Sequence, residues 1–426
     1  MKKLTRIMTA VSILFLSLML TSDQTYAQAN IKEASNGVKV DIGRPYYDSD
    51  KTVIQDKLKV IKFTGGFGTY NGGKNYAKAF GKPAFDHAVE SALSSMAQNF
   101  GLNKTQSMEV IIESGHIDNL KKVNADLFEF LKGVSDETGH SVEELVIALN
   151  DGVFFAIGVN AMRDSILEKL GFIEKGCTVA GFNNGILGQN NDNPVKYSGG
   201  NILVKSTDDN IMILTMGSPF VWLMGMSENL AVVVNTVDAF YKGHAIDAGG
   251  LPDGFLIMNA LMNFKTVDEV IQHYKDARMD VALAVTFADK KGGLVTIEFS
   301  SETYTGNIVI QPKPGQHFIA HTNHPRFAEE YLIETWFGGD KGKANSMIAN
   351  SIWRLEYAEN TLNASAERKD VTVLEHLFRQ YPVLFAGSDG FDFRTTTSVI
   401  WNINEGCGYI SPDRPDITEY EKVCFK

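Results

Sequence analysis

Gly176-Cys177-Thr178-Val179-Ala180-Gly181-Phe182-Asn183-Asn184-Gly185-Ile186-Leu187-Gly188-Gln189-Asn190-Asn191-Asp192 is the stretch on which the reading of the whole chain turns. Two apolar runs, Thr178 to Phe182 and Ile186 to Gly188, flank Asn183-Asn184-Gly185. An Asn-Gly pair between such runs predicts a β-hairpin, because the tight primed turn needs positive φ. The hairpin would return Asp192 to the start of the first strand, beside Cys177. A thiol next to a carboxylate is a candidate reaction centre. Gly176, which has no Cβ, adds the strained backbone that a self-cleaving peptide requires.

Toward the N-terminus, Lys2, Lys3 and Arg6 precede an apolar stretch from Ile7 to Leu20, and Thr25-Tyr26-Ala27 offers a small-residue cleavage site. Residues 1–27 therefore read as a signal peptide, cut after Ala27, which predicts a secreted or periplasmic protein. The stretch is short for a membrane span and no later one reaches the length, so no span is expected. The remaining chain of about 400 residues suffices for one large α/β domain or two smaller ones. Its 44 % hydrophobic content supports an ample core. The net charge of −11 argues against nucleic acid or an anionic membrane surface as partner, and is also what plain solubility requires. Three cysteines leave one odd. Cys407 and Cys424 lie close enough in sequence to pair, leaving Cys177 free. A free thiol in an oxidising compartment is explained by a function; the alternative is a buried, inert cysteine.

Between these landmarks the texture changes. Residues 28–81 are mixed, with one strand-like run, Leu58 to Phe63, and glycines at 65, 66 and 68. From Pro83 to Leu170 the pattern is helical: Phe85, Val89, Leu93 and Met96 share a face, Leu127, Phe130 and Leu131 continue it, and Ser141 with Glu144 forms a capping box. After Gly176 come short strands: Ile202–Val204, Ile211–Leu214, Ala231–Val234, Ala282–Val285 and Leu294–Ile297, the last two joined by a Lys290-Lys291-Gly292-Gly293 turn. Their unbroken apolar character predicts sheets covered on both faces. Helical segments interrupt them at Phe255–Ala277 and Lys343–Leu362. The class is α+β.

Gly176-Cys177-Thr178 followed by Gly188-Gln189-Asn190-x-Asp192 resembles the processing site and first hairpin of the acyl-coenzyme A:6-aminopenicillanate acyltransferase family, whose members are N-terminal-nucleophile hydrolases. His321-Thr322-Asn323-His324 resembles a second motif of that family, and Gly225 to Asn235 a looser third. The resemblance implies a four-layer αββα sandwich, two antiparallel sheets between helix layers. It also implies that the precursor cuts itself between Gly176 and Cys177. Residues 28–176 would then form a largely helical α-chain and residues 177–426 a β-chain carrying most strands, the two remaining associated. Relatives that cleave bile-salt and penicillin V amides carry Arg where Gln189 stands, which favours the acyltransferase-like branch.

The chemistry needs few parts. A freed cysteine supplies a thiol nucleophile, and its α-amine, with a reference pKa of about 7.7–8.0, is a base at neutral pH. Asp192 would hold the cysteine in register, or alternatively satisfy an Asx turn. Asn323 is the candidate oxyanion donor, with Asn235 as a second donor or a strand-end cap. His321 and His324 have no partner at a recognised metal spacing, so no metal and no cofactor are expected. Arg394 and Ser398 match no family position. The reading is a hydrolase of linear C–N amide bonds acting on a small-molecule or peptide amide through a Cys177 thioester. An acyltransferase with an amine acceptor is the alternative, and an unprocessed, non-catalytic binding protein is the alternative of another class.

Overall fold

In the computed structural model the described residues are 57–113, 115–149, 176–194, 200–237, 250–279, 283–299, 307–324, 326, 341–387 and 393–426. Residues 1–27, read as a signal peptide, most of residues 28–81, the stretch 150–170 and Ala282 lie outside them. Strand periodicity explains the architecture. Along β2 (Thr178–Phe182), Val179 and Ala180 point to opposite faces, and so do Ile213 and Leu214 on β5 (Met212–Met216) and Val232 and Val233 on β7 (Leu230–Thr236). Each member of these pairs joins a different apolar cluster, so both faces of each sheet are buried.

An eight-stranded sheet runs β1-β4-β5-β6-β7-β8-β9-β10, with β1 Lys59–Phe63, β4 Asn201–Ser206, β6 Trp222–Met226, β8 Leu283–Asp289, β9 Leu294–Phe299 and β10 Ile308–Ile310. A six-stranded sheet runs β11-β2-β3-β12-β13-β14, with β3 Ile186–Pro194, β11 Phe318–His321, β12 Phe393–Asn402, β13 Cys407–Ser411 and β14 Glu421–Cys424. All pairings are antiparallel except β1 with β4, which is parallel. Val179, Leu187 and Trp401 of one sheet meet Leu214, Met226 and Val233 of the other in the central cluster.

Helices close the two outer faces. One layer comprises α1 (Tyr70–Phe80), α2 (Lys82–Phe100), α3 (Lys104–Glu113), α4 (His116–Val123), α5 (Ala125–Thr138), α6 (Val142–Leu149), α7 (Asp253–Asn263) and α8 (Val267–Tyr274), and it shares a core with the eight-stranded sheet. The other comprises α9 (Lys341–Ala364) and α10 (Val371–Phe378), whose Leu355, Ala358, Leu374 and Phe378 pack on Ala180, Phe182 and Ile400. The result is an αββα sandwich, the fold class expected. Among the described residues no helix is long and apolar enough to cross a membrane.

The details differ from the sequence reading in the helices. Phe255–Ala277 is two helices, not one: Phe264 ends the first, and Thr266 starts the second with a capping box closed by Glu269. The segment read as mixed contains α1, hidden by Asn71, Gly72 and Gly73, which are poor helix formers. Helix α10 was also not anticipated. Cys407 and Cys424 are directly paired across β13 and β14 and joined by a disulfide.

The glycines of α1 have a packing cause. A Cβ on Gly73 would lie 1.9 Å from the Phe130 carbonyl oxygen, and one on Gly133 would lie 1.9 Å from the Tyr70 carbonyl oxygen. α1 and α5 therefore cross backbone against backbone. Gly133→Ala should destabilise the chain by roughly 1–3 kcal/mol or more, since overpacked methyls force backbone shifts. Denaturant unfolding of this variant checks it, and wild-type stability would refute the close crossing.

Candidate active site

The β2–β3 hairpin pairs Thr178 with Asn190 and Phe182 with Ile186, so its turn is the three residues Asn183-Asn184-Gly185 with positive φ (78°) at Gly185 alone, rather than the primed turn expected. Cys177, one residue before Thr178, consequently faces Asn191. Its thiol donates to Asn191 Oδ1 at 3.2 Å. Cys177 is the free cysteine and is buried.

Asp192 is also buried, and it accepts from Thr395 Oγ1 at 2.6 Å. The ladder register sets this contact: Thr395 stands directly opposite Asp192, next to a bulge between Thr395 and Thr397. Burial pushes the Asp192 carboxyl up to about 7, against the opposing effects of Arg354 and Thr395. Burial also pushes the Cys177 thiol up to about 12, and the neighbouring Asp192 adds to this. A thiol in that state needs a base before it can react.

A strand and a loop bring the amides. Asn235, near the end of β7, donates to the His321 carbonyl at 3.2 Å and to the Cys177 carbonyl at 3.5 Å. Asn323, just past β11, donates to the Thr236 carbonyl at 2.8 Å, and its Oδ1 accepts from Arg354 at 3.1 Å. Arg354, 1 % exposed in the middle of α9, also donates to the Cys177 carbonyl at 2.7 Å and to Thr178 Oγ1 at 3.0 Å. Asp192, Asn235 and Asn323 thus converge on Cys177 or its neighbours, from both sheets.

Gly176 is constrained by this crowd. A Cβ there would stand 1.7 Å from Asn323 Oδ1 and 2.7 Å from Arg354 Nη2, and the backbone has φ of 155°. The bond between Gly176 and Cys177 therefore lies against the Asn323 amide and the Arg354 guanidinium.

The remaining motif residues have structural partners. His321 Nε2 lies 2.7 Å from Glu298 Oε1, both side chains being buried. Ser351 Oγ accepts from the backbone N–H groups of Asn323 and His324 at 3.0 and 3.1 Å, and lies 2.8 Å from His324 Nδ1. Burial holds His324 well below the usual imidazole range, at about 3. Among the described residues no cluster of His, Cys, Asp and Glu could hold a metal ion. Gln189 is wholly buried and doubly bonded to Val234, donating to its carbonyl at 2.6 Å and accepting from its N–H at 3.2 Å. Its amide completes a strand-like contact between the sheets. Arg394 is paired with Asp413, and Ser398 with Tyr420.

Arg354, Thr395, Asn191 and Ser351 escaped the sequence reading. Arg354 and Ser351 are three apart on one helix, which places them on one face, but neither belongs to a motif recognisable without the fold.

The sequence model of the acyl-coenzyme A:6-aminopenicillanic acid acyl-transferase family matches residues 179–396, just over half of the 426-residue chain. The chain belongs to this family. The match begins two residues after Cys177 and includes Asp192, Asn235, Asn323 and Arg354. Membership makes the chain an amide hydrolase or acyltransferase of the N-terminal-nucleophile type. Similar solved structures include a mutant conjugated bile acid hydrolase from Clostridium perfringens, with 14 % identity, a TM-score of 0.37, and 59 % of this chain and 97 % of that one covered. An N-acylethanolamine-hydrolyzing acid amidase ortholog from Caenorhabditis elegans has 17 % identity and a TM-score of 0.37, covering 59 % and 99 %. Penicillin V acylase from Agrobacterium tumefaciens has 14 % identity and a TM-score of 0.34, covering 56 % and 82 %. No curated protein sequence matches significantly.

The raised Asp192 carboxyl has a stability consequence with a definite sign. Between the unfolded value of about 3.9 and the folded value of about 7, the native state holds a proton that the unfolded chain has released. Stability from this group is therefore complete below that window and is lost as pH rises through it. In a Cys177→Ala background, Asp192→Asn removes the effect. The melting-temperature difference, variant minus parent, should grow from pH 5 to pH 7 and then level off. A difference independent of pH would show that Asp192 is not a buried, reluctant carboxylate.

Proposed function

We propose that this chain is an exported, self-processing enzyme that cleaves linear C–N amide bonds through a thioester on Cys177. The observation that carries this reading is the placement of the Gly176–Cys177 bond. A free thiol follows a glycine that has no room for a side chain, with Asn323 and Arg354 against it.

In the precursor the α-amine is tied up in the peptide bond, so another base must take the thiol proton. Asp192 is adjacent and has its affinity for a proton set near neutrality by burial. The sulfur adds to the Gly176 carbonyl carbon, the C–N bond breaks, and the nitrogen leaves as the Cys177 amine. Water then cleaves the thioester, releasing the Gly176 carboxylate and the thiol. In the processed enzyme the freed amine becomes the base, and Asp192 holds it in position. Asn323 and Asn235 supply amide donors for the oxyanion.

Residues 28–176 and 177–426 are read as α- and β-chains that stay together, which the parallel pairing of β1 with β4 supports. Export rests on the signal-like residues 1–27 and accords with the Cys407–Cys424 disulfide. Transfer of the acyl group to an amine is the second reading, favoured by the name of the matched family. It uses the same thioester, and the outcome depends on whether an amine or water reaches it first.

Expression of the wild type should yield two chains, one beginning at Cys177, while Cys177→Ala should remain one chain without turnover. N-terminal sequencing decides this. An intact chain that is active would overturn self-processing.

Removing the Asn323 donor should act on the reaction more than on binding. Asn323→Ala is expected to lower kcat by about 10²–10³ with KM near wild type. Steady-state kinetics on an N-acyl amine substrate, with the fold verified by thermal melting, tests it. Wild-type turnover would remove Asn323 from the mechanism.

A further inference from the structure

The contact between Asn191 and the Cys177 sulfur has a feature that the mechanism above does not use. Asn191 Oδ1 accepts from the thiol at 3.2 Å, while Asn191 Nδ2, fully enclosed, has no hydrogen-bond partner among the described residues. The side chain is only 6 % exposed. Its backbone is anchored, because the Asn191 carbonyl accepts from Thr396 Oγ1 at 3.2 Å and the residue lies within the β3–β12 ladder. A buried amide nitrogen left unpaired is costly unless another state of the site uses it.

We propose that Asn191 is a catalytic residue that serves both protonation states of Cys177, accepting from the thiol and, after a half-turn of its amide, donating Nδ2–H to the thiolate. The proposal rests on the reading of Cys177 as nucleophile. An amide oxygen facing the sulfur suits S–H but repels S⁻, whose lone pairs need a donor. The half-turn exchanges Oδ1 and Nδ2 at nearly the same positions and gives up no protein hydrogen bond other than S–H···O. When the proton leaves sulfur for the base, its electron pair stays on sulfur, and the rotated amide receives the new charge.

The other groups that act on the sulfur leave room for this role. The Asp192 carboxylate opposes ionisation. The Asp192 backbone N–H, the Gln189 side chain and the more distant Arg354 charge favour it. Gln189 is held by Val234 at both ends of its amide, so it cannot turn. Asn191 is the amide beside the sulfur that is free to do so.

The test is the pH dependence of Cys177 alkylation by iodoacetamide, read by mass spectrometry. Cys407 and Cys424 are joined in a disulfide, so Cys177 is the thiol that reacts. The rate is followed separately on the peptide that begins at Cys177 and on the one that still spans Gly176–Cys177, so each variant is compared with wild type in the same processing state. Asn191→Leu removes the donor, and Asn191→Asp, nearly the same shape, replaces it with an acceptor. Both should move the alkylation midpoint upward and slow the reaction at neutral pH about tenfold to hundredfold, the range for one hydrogen bond to a charged group. Should Asn191→Leu not fold, Asn191→Asp alone carries the comparison. A midpoint unchanged from wild type in a folded variant overturns the role of Asn191. Turnover that survives Cys177→Ala would instead overturn the nucleophile itself, and the alkylation profile does not depend on that outcome.

Discussion

A guanidinium cut off from water must be surrounded by acceptors, and much of this molecule is arranged to supply them to Arg354. It reaches the Cys177 carbonyl, Thr178 Oγ1, Asn323 Oδ1 and, within its own helix, Asn350 Oδ1. These acceptors come from the start of β2, the loop after β11 and α9, elements far apart in sequence. Removing the charge would leave buried acceptors unpaired, and moving it would disengage the loop that carries Asn323 from the residue before β2. The same charge opposes the upward drift of the Asp192 carboxyl. One buried cation thereby links the position of Cys177 to the protonation of its neighbour.

The sandwich makes such convergence possible. The six-stranded sheet supplies Cys177, Asn191, Asp192 and Thr395 through adjacent strands β2, β3 and β12, whose hydrogen bonds fix their relative heights. The eight-stranded sheet approaches from the other side and supplies Asn235 through β7. Gln189 and Val234 fasten the two sheets together beside the site, with the side-chain amide taking the place of a missing strand. Asn323 is held from outside by Ser351, one turn ahead of Arg354, which binds the backbone N–H groups of the Asn323–His324 turn. The site thus sits on regular elements and on a loop fastened to a helix, which keeps its groups in register.

The family resemblance seen in the sequence, and with it the αββα class, was carried by short motifs around Cys177 and Asn323. The hairpin was legible because its Asn-Gly turn and flanking apolar runs are local signals. The strands were legible as unbroken apolar runs, since a sheet buried on both faces leaves no polar alternation. Helix α1 was not, because Gly72 and Gly73 lower local propensity for the sake of close approaches, Gly72 to the Gly65–Gly66 backbone and Gly73 to α5, a partner distant in sequence. The break between α7 and α8 was overlooked although Thr266 and Glu269 mark it, as the apolar pattern continues across both helices.

By itself the sequence determined the hairpin, the odd thiol, the glycine before it, the return of Asp192 toward Cys177, and Asn235 and Asn323 as polar residues at strand ends. These follow from local turn chemistry and from counting. Only the tertiary structure decided that Cys177 faces Asn191, that Thr395 rather than a turn satisfies Asp192, that Gln189 is a clamp between sheets, and that Arg354 belongs to the site. Each depends on strand register or on a helix docking across a sheet. Such contacts are set by the packing of distant segments, and no spacing along the chain encodes them.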